Sequence, residues 1–161
     1  MIENKCKEWY NSGQCTVRNL IEYIEKTGQM RDAQIEAIKV YLFLKIGCEC
    51  KPLEFLFRYG YFNSINLNDI ELSTATREYL EENPAATALF EYARLTNDKG
   101  EQVSEKLEKQ IKKDPSSIDY DGFFRTAFYG VSYTDYLFSL PMGAGKTYLM
   151  AAFIYLDLYF A

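Results

Sequence analysis

Near the carboxyl end of the chain runs the sequence Leu140-Pro141-Met142-Gly143-Ala144-Gly145-Lys146-Thr147. Residues 136–140 are a short, mostly apolar run that is typical of a buried parallel strand, and residues 147–160 are apolar enough to predict a helix. A glycine-containing turn between a strand and a helix is the setting in which many proteins bind nucleotide phosphates. The stretch therefore predicts a phosphate-binding loop.

The residue types in this loop suit that chemistry. Gly143 and Gly145 allow backbone N–H groups to close around phosphate oxygens, and the start of the following helix adds partial positive charge. Lys146 is expected to reach the β- and γ-phosphates, and the hydroxyl of Thr147 is expected to ligate Mg²⁺. The competing interpretation is an ordinary strand–turn–helix in which the glycines serve only the turn.

One position departs from the common phosphate-loop pattern. Its first glycine would fall at Leu140. Nucleotide kinases, small GTPases and most hexameric ATPases keep that glycine, so the departure argues against those classes.

The string Pro141–Thr147 resembles motif I of the superfamily-two helicases and translocases. That family also has a glutamine-containing motif upstream, which the segment Arg31–Ala37 (RDAQIEA) resembles. The closest resemblance is to the DEAD/DEAH-like group that includes the Res subunits, the helicase–nuclease subunits of type III restriction systems.

The resemblance implies an ATP-dependent enzyme that acts on DNA. It further implies that Gln34 contacts the adenine edge, that Arg31 helps to seat the base or brace the loop, and that Lys146 and Thr147 are catalytic. The implied ligands are ATP and Mg²⁺, with Thr147 as the metal ligand. The expected nucleotide-binding residues are Arg31, Gln34, Pro141, Gly143, Ala144, Gly145, Lys146 and Thr147.

The distance along the chain between Gln34 and Lys146 is larger than in compact members of that family, which predicts an inserted helical subdomain. We expect three parts: N-terminal helices with the glutamine motif (1–47), a helical insert (48–130), and the start of a RecA-like ATPase domain (131–161). Within the insert, apolar spacing and capping residues predict helices. Their expected limits are 52–62, 74–80, 84–95, 105–113 and 120–129. A turn is expected at 97–100, and Gly130 is expected to end the last of these helices.

The insert is acidic. Residues 48–130 carry the entire net charge of −5. Because proteins that grip nucleic acid usually present a basic face, the insert is a poor candidate for the DNA track. A protein partner, such as a specificity or methyltransferase subunit, is the functional alternative, and DNA contacts are expected from parts of the parent protein outside this chain.

The four cysteines and the absence of histidine limit the chemistry. Catalytic arrangements that use histidine are excluded, and the cysteine spacing does not match a zinc site, so reduced thiols in a cytoplasmic protein are expected. The N-terminus does not resemble a signal peptide, and the apolar C-terminal stretch is too short to span a membrane and is interrupted by Asp157.

The expected fold is mainly α, with about six helices and one strand that opens an incomplete RecA-like sheet. We expect the chain to be truncated just after motif I and inactive by itself, because it lacks the acidic Asp-Glu motif and the second RecA-like domain. A stand-alone helical interaction module with a vestigial loop remains the alternative.

Overall fold

The computed structural model describes residues 1–128, 138–140 and 142–161, and they fold as a mainly α-helical protein. The helices are α1 (Ile2–Asn11), α2 (Arg18–Thr27), α3 (Asp32–Leu42), α4 (Leu53–Arg58), α5 (Thr74–Glu82), α6 (Pro84–Arg94), α7 (Glu105–Lys113), α8 (Tyr120–Ala127) and α9 (Lys146–Tyr159). Single turns of π-helix (Phe43–Gly47) and 3₁₀-helix (Leu67–Asp69 and Pro115–Ser117) connect some of them.

The structure describes only part of the predicted strand at 136–140. Tyr136 and Leu137 lie outside the described residues, and Phe138 to Leu140 form no strand. In the described part of the chain, β-structure is limited to one antiparallel bridge between Thr96 and Gln102, which closes the predicted turn at 97–100.

The chain divides into two compact units. The insert unit comprises Met1 and residues 52–134, and the loop unit comprises residues 2–51 and 135–161. The loop unit therefore combines the segment that carries Gln34 with the segment that carries Lys146, although they are far apart in sequence.

Helix starts in the insert unit follow from local capping. The Ser73 side chain accepts a hydrogen bond from Thr76 N (3.1 Å), and Ser104 accepts one from Leu107 N (3.2 Å). Pro84 occupies the first turn of α6, where its missing N–H costs nothing. The predictions for these three helix starts are confirmed.

The core of the insert unit is built around α6, which packs against α4, α5, α7 and α8. It also includes a buried carboxylate, Glu91, which accepts hydrogen bonds from Ser64 N (2.9 Å), Ser64 Oγ (2.6 Å) and Ile65 N (3.1 Å). These donors replace the water that the carboxylate loses on burial. The buried core residues are Leu67, Leu80, Ala86, Ala88, Leu89, Phe90, Ile111, Tyr120 and Phe124.

Two helices end differently from the prediction. The helix expected to extend to Phe62 ends at Arg58, because Gly60 adopts a left-handed conformation (φ +68°) that an α-helix cannot continue through. The helix expected over 120–129 ends at Ala127, and Tyr129 and Gly130 lie outside the described residues.

In the loop unit, α1, α2 and α9 all pack against α3. The Trp9 and Phe43 rings lie 5.6 Å apart in its core, and Ile21, Ile38 and Leu42 are fully or almost fully buried. The central position of α3 determines the candidate site, because the glutamine motif forms its first turn.

Candidate phosphate-binding site

The loop before α9 has the backbone conformation that its glycines permit. Gly143 (φ +77°) and Gly145 (φ +74°) are both left-handed, and Gly145 is the N-cap of α9. Its carbonyl accepts the first hydrogen bonds of the helix, from Tyr148 N and Leu149 N (3.1 Å each). The turn therefore leads directly into a helix of 14 residues whose N-terminus follows the loop.

Gln34 contacts this turn. Its side-chain Nε2 donates to the carbonyl of Gly145 (3.0 Å), and its Oε1 accepts from the backbone N–H of Arg31 (2.8 Å). The side chain is buried, with 4% of its surface exposed. A Cβ atom at position 145 would lie 2.6 Å from Gln34 Nε2, so this contact requires glycine at that position.

Arg31 makes a second contact with the loop. Its Nη1 donates to the carbonyl of Gly143, while its own carbonyl accepts the N–H of Gln34 (2.8 Å) at the start of α3. Arg31 is an exposed residue. The structure thus brings the two motifs predicted from the sequence together through hydrogen bonds to two loop carbonyls.

Sequence reasoning missed the contacts that hold α9 along α3 and the π-helical turn after it. Asp157 Oδ1 accepts from Lys45 Nζ (2.6 Å) and from the hydroxyl of Tyr41 (2.9 Å), and the rings of Tyr41 and Phe153 stack 4.6 Å apart. These hydrogen bonds lower the pKa of Asp157. One signal was available: a single charge inside an otherwise apolar helix indicates a specific partner.

A further contact joins α9 to the turn before α3. The Tyr148 hydroxyl donates to the carbonyl of Gly28 (3.2 Å). The segment from Gly28 to Gln34 therefore contacts the loop and the first turn of α9 at three points. This arrangement orients the loop relative to α3.

Lys146 and Thr147 are both exposed in the first turn of α9. Ala144 is buried, which fixes the centre of the loop, and an added Cβ at Gly143 would meet no atom within 4 Å. Pro141, the remaining predicted site residue, lies outside the described residues. An exposed lysine and hydroxyl therefore lie beside a glycine turn and a helix N-terminus, which are groups of the kind that bind phosphate in proteins.

The Gln34 amide is already engaged on both sides. Its Oε1 binds the Arg31 amide and its Nε2 binds the loop, which leaves one N–H and one lone pair for another partner. In this arrangement Gln34 braces the loop. Contact with an adenine edge, which the resemblance implies, stays a prediction.

Other features of the described residues bear on alternative chemistries. Cys6, Cys15 and Cys48 are buried and Cys50 is exposed, and burial raises the pKa of Cys6 to about 12. Within the part of the chain that the structure describes, no three histidine, cysteine or acidic side chains are arranged to hold a metal ion. No helix among those residues has the length and apolar character needed to cross a bilayer.

The chain was also compared with known proteins. The comparisons with protein-family models, with curated proteins and with solved structures found no match.

Proposed function

We propose that this chain carries the first nucleotide-binding elements of an ATP-dependent DNA helicase or translocase of the restriction or defence type. The observation that supports this proposal most directly is the pair of hydrogen bonds from Gln34 and Arg31 to the loop carbonyls of Gly145 and Gly143. Each segment separately resembles a motif of the helicase family, and both lie in one unit of the fold.

The physical argument concerns what these contacts do for ligand binding. A loop that binds phosphate must present its N–H groups in a fixed orientation, because disorder in the free state reduces affinity. Gln34 and Arg31 both bind carbonyl oxygens of the loop, so neither contact engages a loop N–H group. The use of loop carbonyls for these contacts favours a loop that binds phosphate over a turn that only connects two elements.

The residues have distinct proposed roles. Lys146 binds the β- and γ-phosphates, Thr147 holds Mg²⁺, and Gln34 with Arg31 positions the loop. Mg²⁺ when bound supplies charge neutralisation at the β- and γ-phosphate oxygens. Because one lysine and one threonine lack an acidic motif to orient water, the chain by itself is proposed to bind ATP without hydrolysing it at a useful rate.

The insert unit has a different proposed role. Residues 48–130 carry the net negative charge of the chain, which opposes binding to a phosphate backbone. We assign DNA contacts to parts of the helicase other than this segment, and we assign the insert to a protein partner. A restriction or defence enzyme of this kind acts in the cytoplasm.

The direct test is equilibrium binding of a fluorescent ATP analogue to the full chain in the presence of Mg²⁺. Lys146→Ala is expected to raise Kd by about tenfold or more, because it removes a charge-assisted contact with the phosphates. Lys106→Ala provides a matched control, since it removes an exposed lysine from α7 in the insert unit. The control is expected to leave Kd within about twofold of the wild type.

Phosphate release should be measured on the same preparations. Binding that depends on Lys146 with no steady-state release would support the proposal in full. Absence of binding, or equal binding by both variants, would contradict it and would favour the helical interaction module with a vestigial loop. Rapid release abolished by Lys146→Ala would contradict only the inactivity of the isolated chain.

A further inference from the structure

The side-chain amide of Gln34 uses both its oxygen and its nitrogen within the protein. Oε1 accepts the N–H of Arg31 (2.8 Å), and Nε2 donates to the carbonyl of Gly145 (3.0 Å). These partners determine the orientation of the amide, because a flipped amide would place a donor against the N–H and an acceptor against the carbonyl. The side chain is 4% exposed, so almost none of its surface is open to a ligand.

Recognition of adenine by a glutamine needs these same two atoms. Adenine presents a donor at N6 and an acceptor at N7, and a glutamine reads this pair by accepting with Oε1 and donating with Nε2. In this protein both atoms already bind backbone groups. Turning the amide toward a base would remove the hydrogen bonds to Arg31 and Gly145, and that loss opposes the gain from the base.

Arg31 does not supply a preference for adenine either. Its guanidinium carries only donors, and Nη1 binds the carbonyl of Gly143. Adenine and guanine both present an acceptor at N7, and guanine has a second acceptor at O6 where adenine has a donor. The remaining donors of Arg31 therefore suit guanine at least as well as adenine.

We propose that this site binds purine nucleoside triphosphates through their phosphates without selecting adenine, so that GTP binds about as well as ATP. The assignment rests on the proposed function, in which Lys146 binds the β- and γ-phosphates. Gln34 is then a positioning residue, which holds the loop for either triphosphate and reads no base. The substrate class is wider than the resemblance to ATP-dependent enzymes implies.

The test compares the binding of ATP and GTP to the full chain with Mg²⁺, measured by isothermal titration calorimetry. The two dissociation constants of the wild type are expected to agree within about threefold, whereas a glutamine that reads adenine through two hydrogen bonds discriminates by about tenfold or more. This comparison needs no variant. Binding that depends on Lys146 but prefers ATP by more than about threefold would overturn the proposal and leave the proposed function intact.

The variant Gln34→Ala separates positioning from base recognition. Because alanine no longer holds the loop, Kd is expected to rise by about fivefold or more for both nucleotides, with the ratio of the two unchanged. Gln14→Ala is the matched control, since Gln14 is an exposed glutamine in the same unit. The control is expected to leave both constants within about twofold of the wild type. A rise for ATP alone would show that Gln34 reads adenine, and it would overturn the proposal.

Lys146→Ala distinguishes failure of this proposal from failure of the proposed function. It is expected to weaken the binding of ATP and GTP by the same factor, because the lysine contacts phosphates that both nucleotides share. If neither nucleotide binds the wild type, or if Lys146→Ala leaves both constants unchanged, the proposed function is contradicted and this proposal is overturned with it.

Discussion

The helices α6 and α9 are both largely apolar, but α6 is mostly buried and α9 is mostly exposed. In the insert unit, α6 buries most of its residues, and Leu89 and Phe90 have no exposed surface. In the loop unit, α9 buries only Leu149 and Leu156 among its residues, and Leu158 is 74% exposed. Each helix contains leucine, alanine and aromatic side chains, so composition does not account for the difference.

The difference follows from the neighbours of each helix. Four helices pack around α6, whereas α3 is the main neighbour of α9. Hydrophobic free energy depends on the surface removed from water, so an apolar side chain stabilises the fold only where another element covers it. We therefore expect equivalent substitutions in the two helices to have very different effects.

The largest expected effect comes from truncating α6. Leu89→Ala should lower the free energy of unfolding by about 2–5 kcal/mol, because it leaves a cavity in a fully buried site. Leu158→Ala makes the same chemical change in α9 and should alter it by no more than about 0.5 kcal/mol. Urea unfolding followed by circular dichroism measures both. Equal losses would show that Leu158 is buried in solution.

The next largest effect concerns the contact between α3 and the loop. Gln34→Ala should destabilise the loop unit by about 1–3 kcal/mol, because it removes a buried side chain that satisfies the Arg31 N–H and the Gly145 carbonyl. The same variant should weaken binding of the ATP analogue. Gln110→Ala, at an exposed position on α7, is the control. Stability and binding that are unchanged by Gln34→Ala would show that the contact does not position the loop.

Alkaline pH should distinguish the two units. Burial raises the pKa of Cys6, in the loop unit, from 9.0 to about 12, and that of Tyr120, in the insert unit, from 10.0 to about 12. The unfolded chain loses these protons at lower pH than the folded chain. The stability that each group contributes is therefore complete below its unfolded pKa and is lost as the pH rises toward 12. The ordinary pKa of Cys6 (9.0) is below that of Tyr120 (10.0), so the loop unit should begin to lose stability at a lower pH than the insert unit.

The fluorescence of Trp9 can follow the loop unit separately, since it is the single tryptophan and lies in α1. Above pH 9 the loss should be at most about 1.4 kcal/mol per pH unit for Cys6. Cys6→Ala should remove the pH dependence that begins at pH 9, and Cys50→Ala, at an exposed position, should leave it intact. The role of Cys6 would be contradicted if the wild-type unfolding transition, followed by Trp9 fluorescence, did not change between pH 9 and pH 10.

The smallest expected effect is at the exposed carboxylate of α9. Hydrogen bonds from Lys45 and Tyr41 lower the pKa of Asp157, so its contribution is present above the ordinary carboxyl pKa and is lost as the pH falls through the lowered value. Asp157→Asn should slightly lower the thermal midpoint of the loop unit at neutral pH, and the difference from wild type should disappear in acid. Asp98→Asn, in the exposed turn, is the control. A difference that persists at low pH would show that packing, and not the charge, is responsible.

Helix starts were predictable because their causes are local. Ser73, Pro84 and Ser104 act within one turn of their own positions, and the structure places helices where they predict them. The helix that ends at Arg58 was predicted too long. The apolar pattern continued to Phe62, but Gly60 adopts a left-handed conformation in which an added Cβ would lie 2.7 Å from Asn63 Nδ2 and 2.8 Å from Pro84 Cβ. That approach depends on the position of α6, which no local pattern contains.

The amino-acid sequence alone determined the mainly helical character of the chain, the local caps, and the glycine turn that leads into α9. Tertiary structure decided which apolar helix is buried and which is exposed, and it brought Gln34 and Arg31 to the carbonyls of Gly145 and Gly143. The physical reason is the range of the interactions. Caps and turns act over a few residues, whereas burial and the loop contacts depend on segments that meet only when the chain folds.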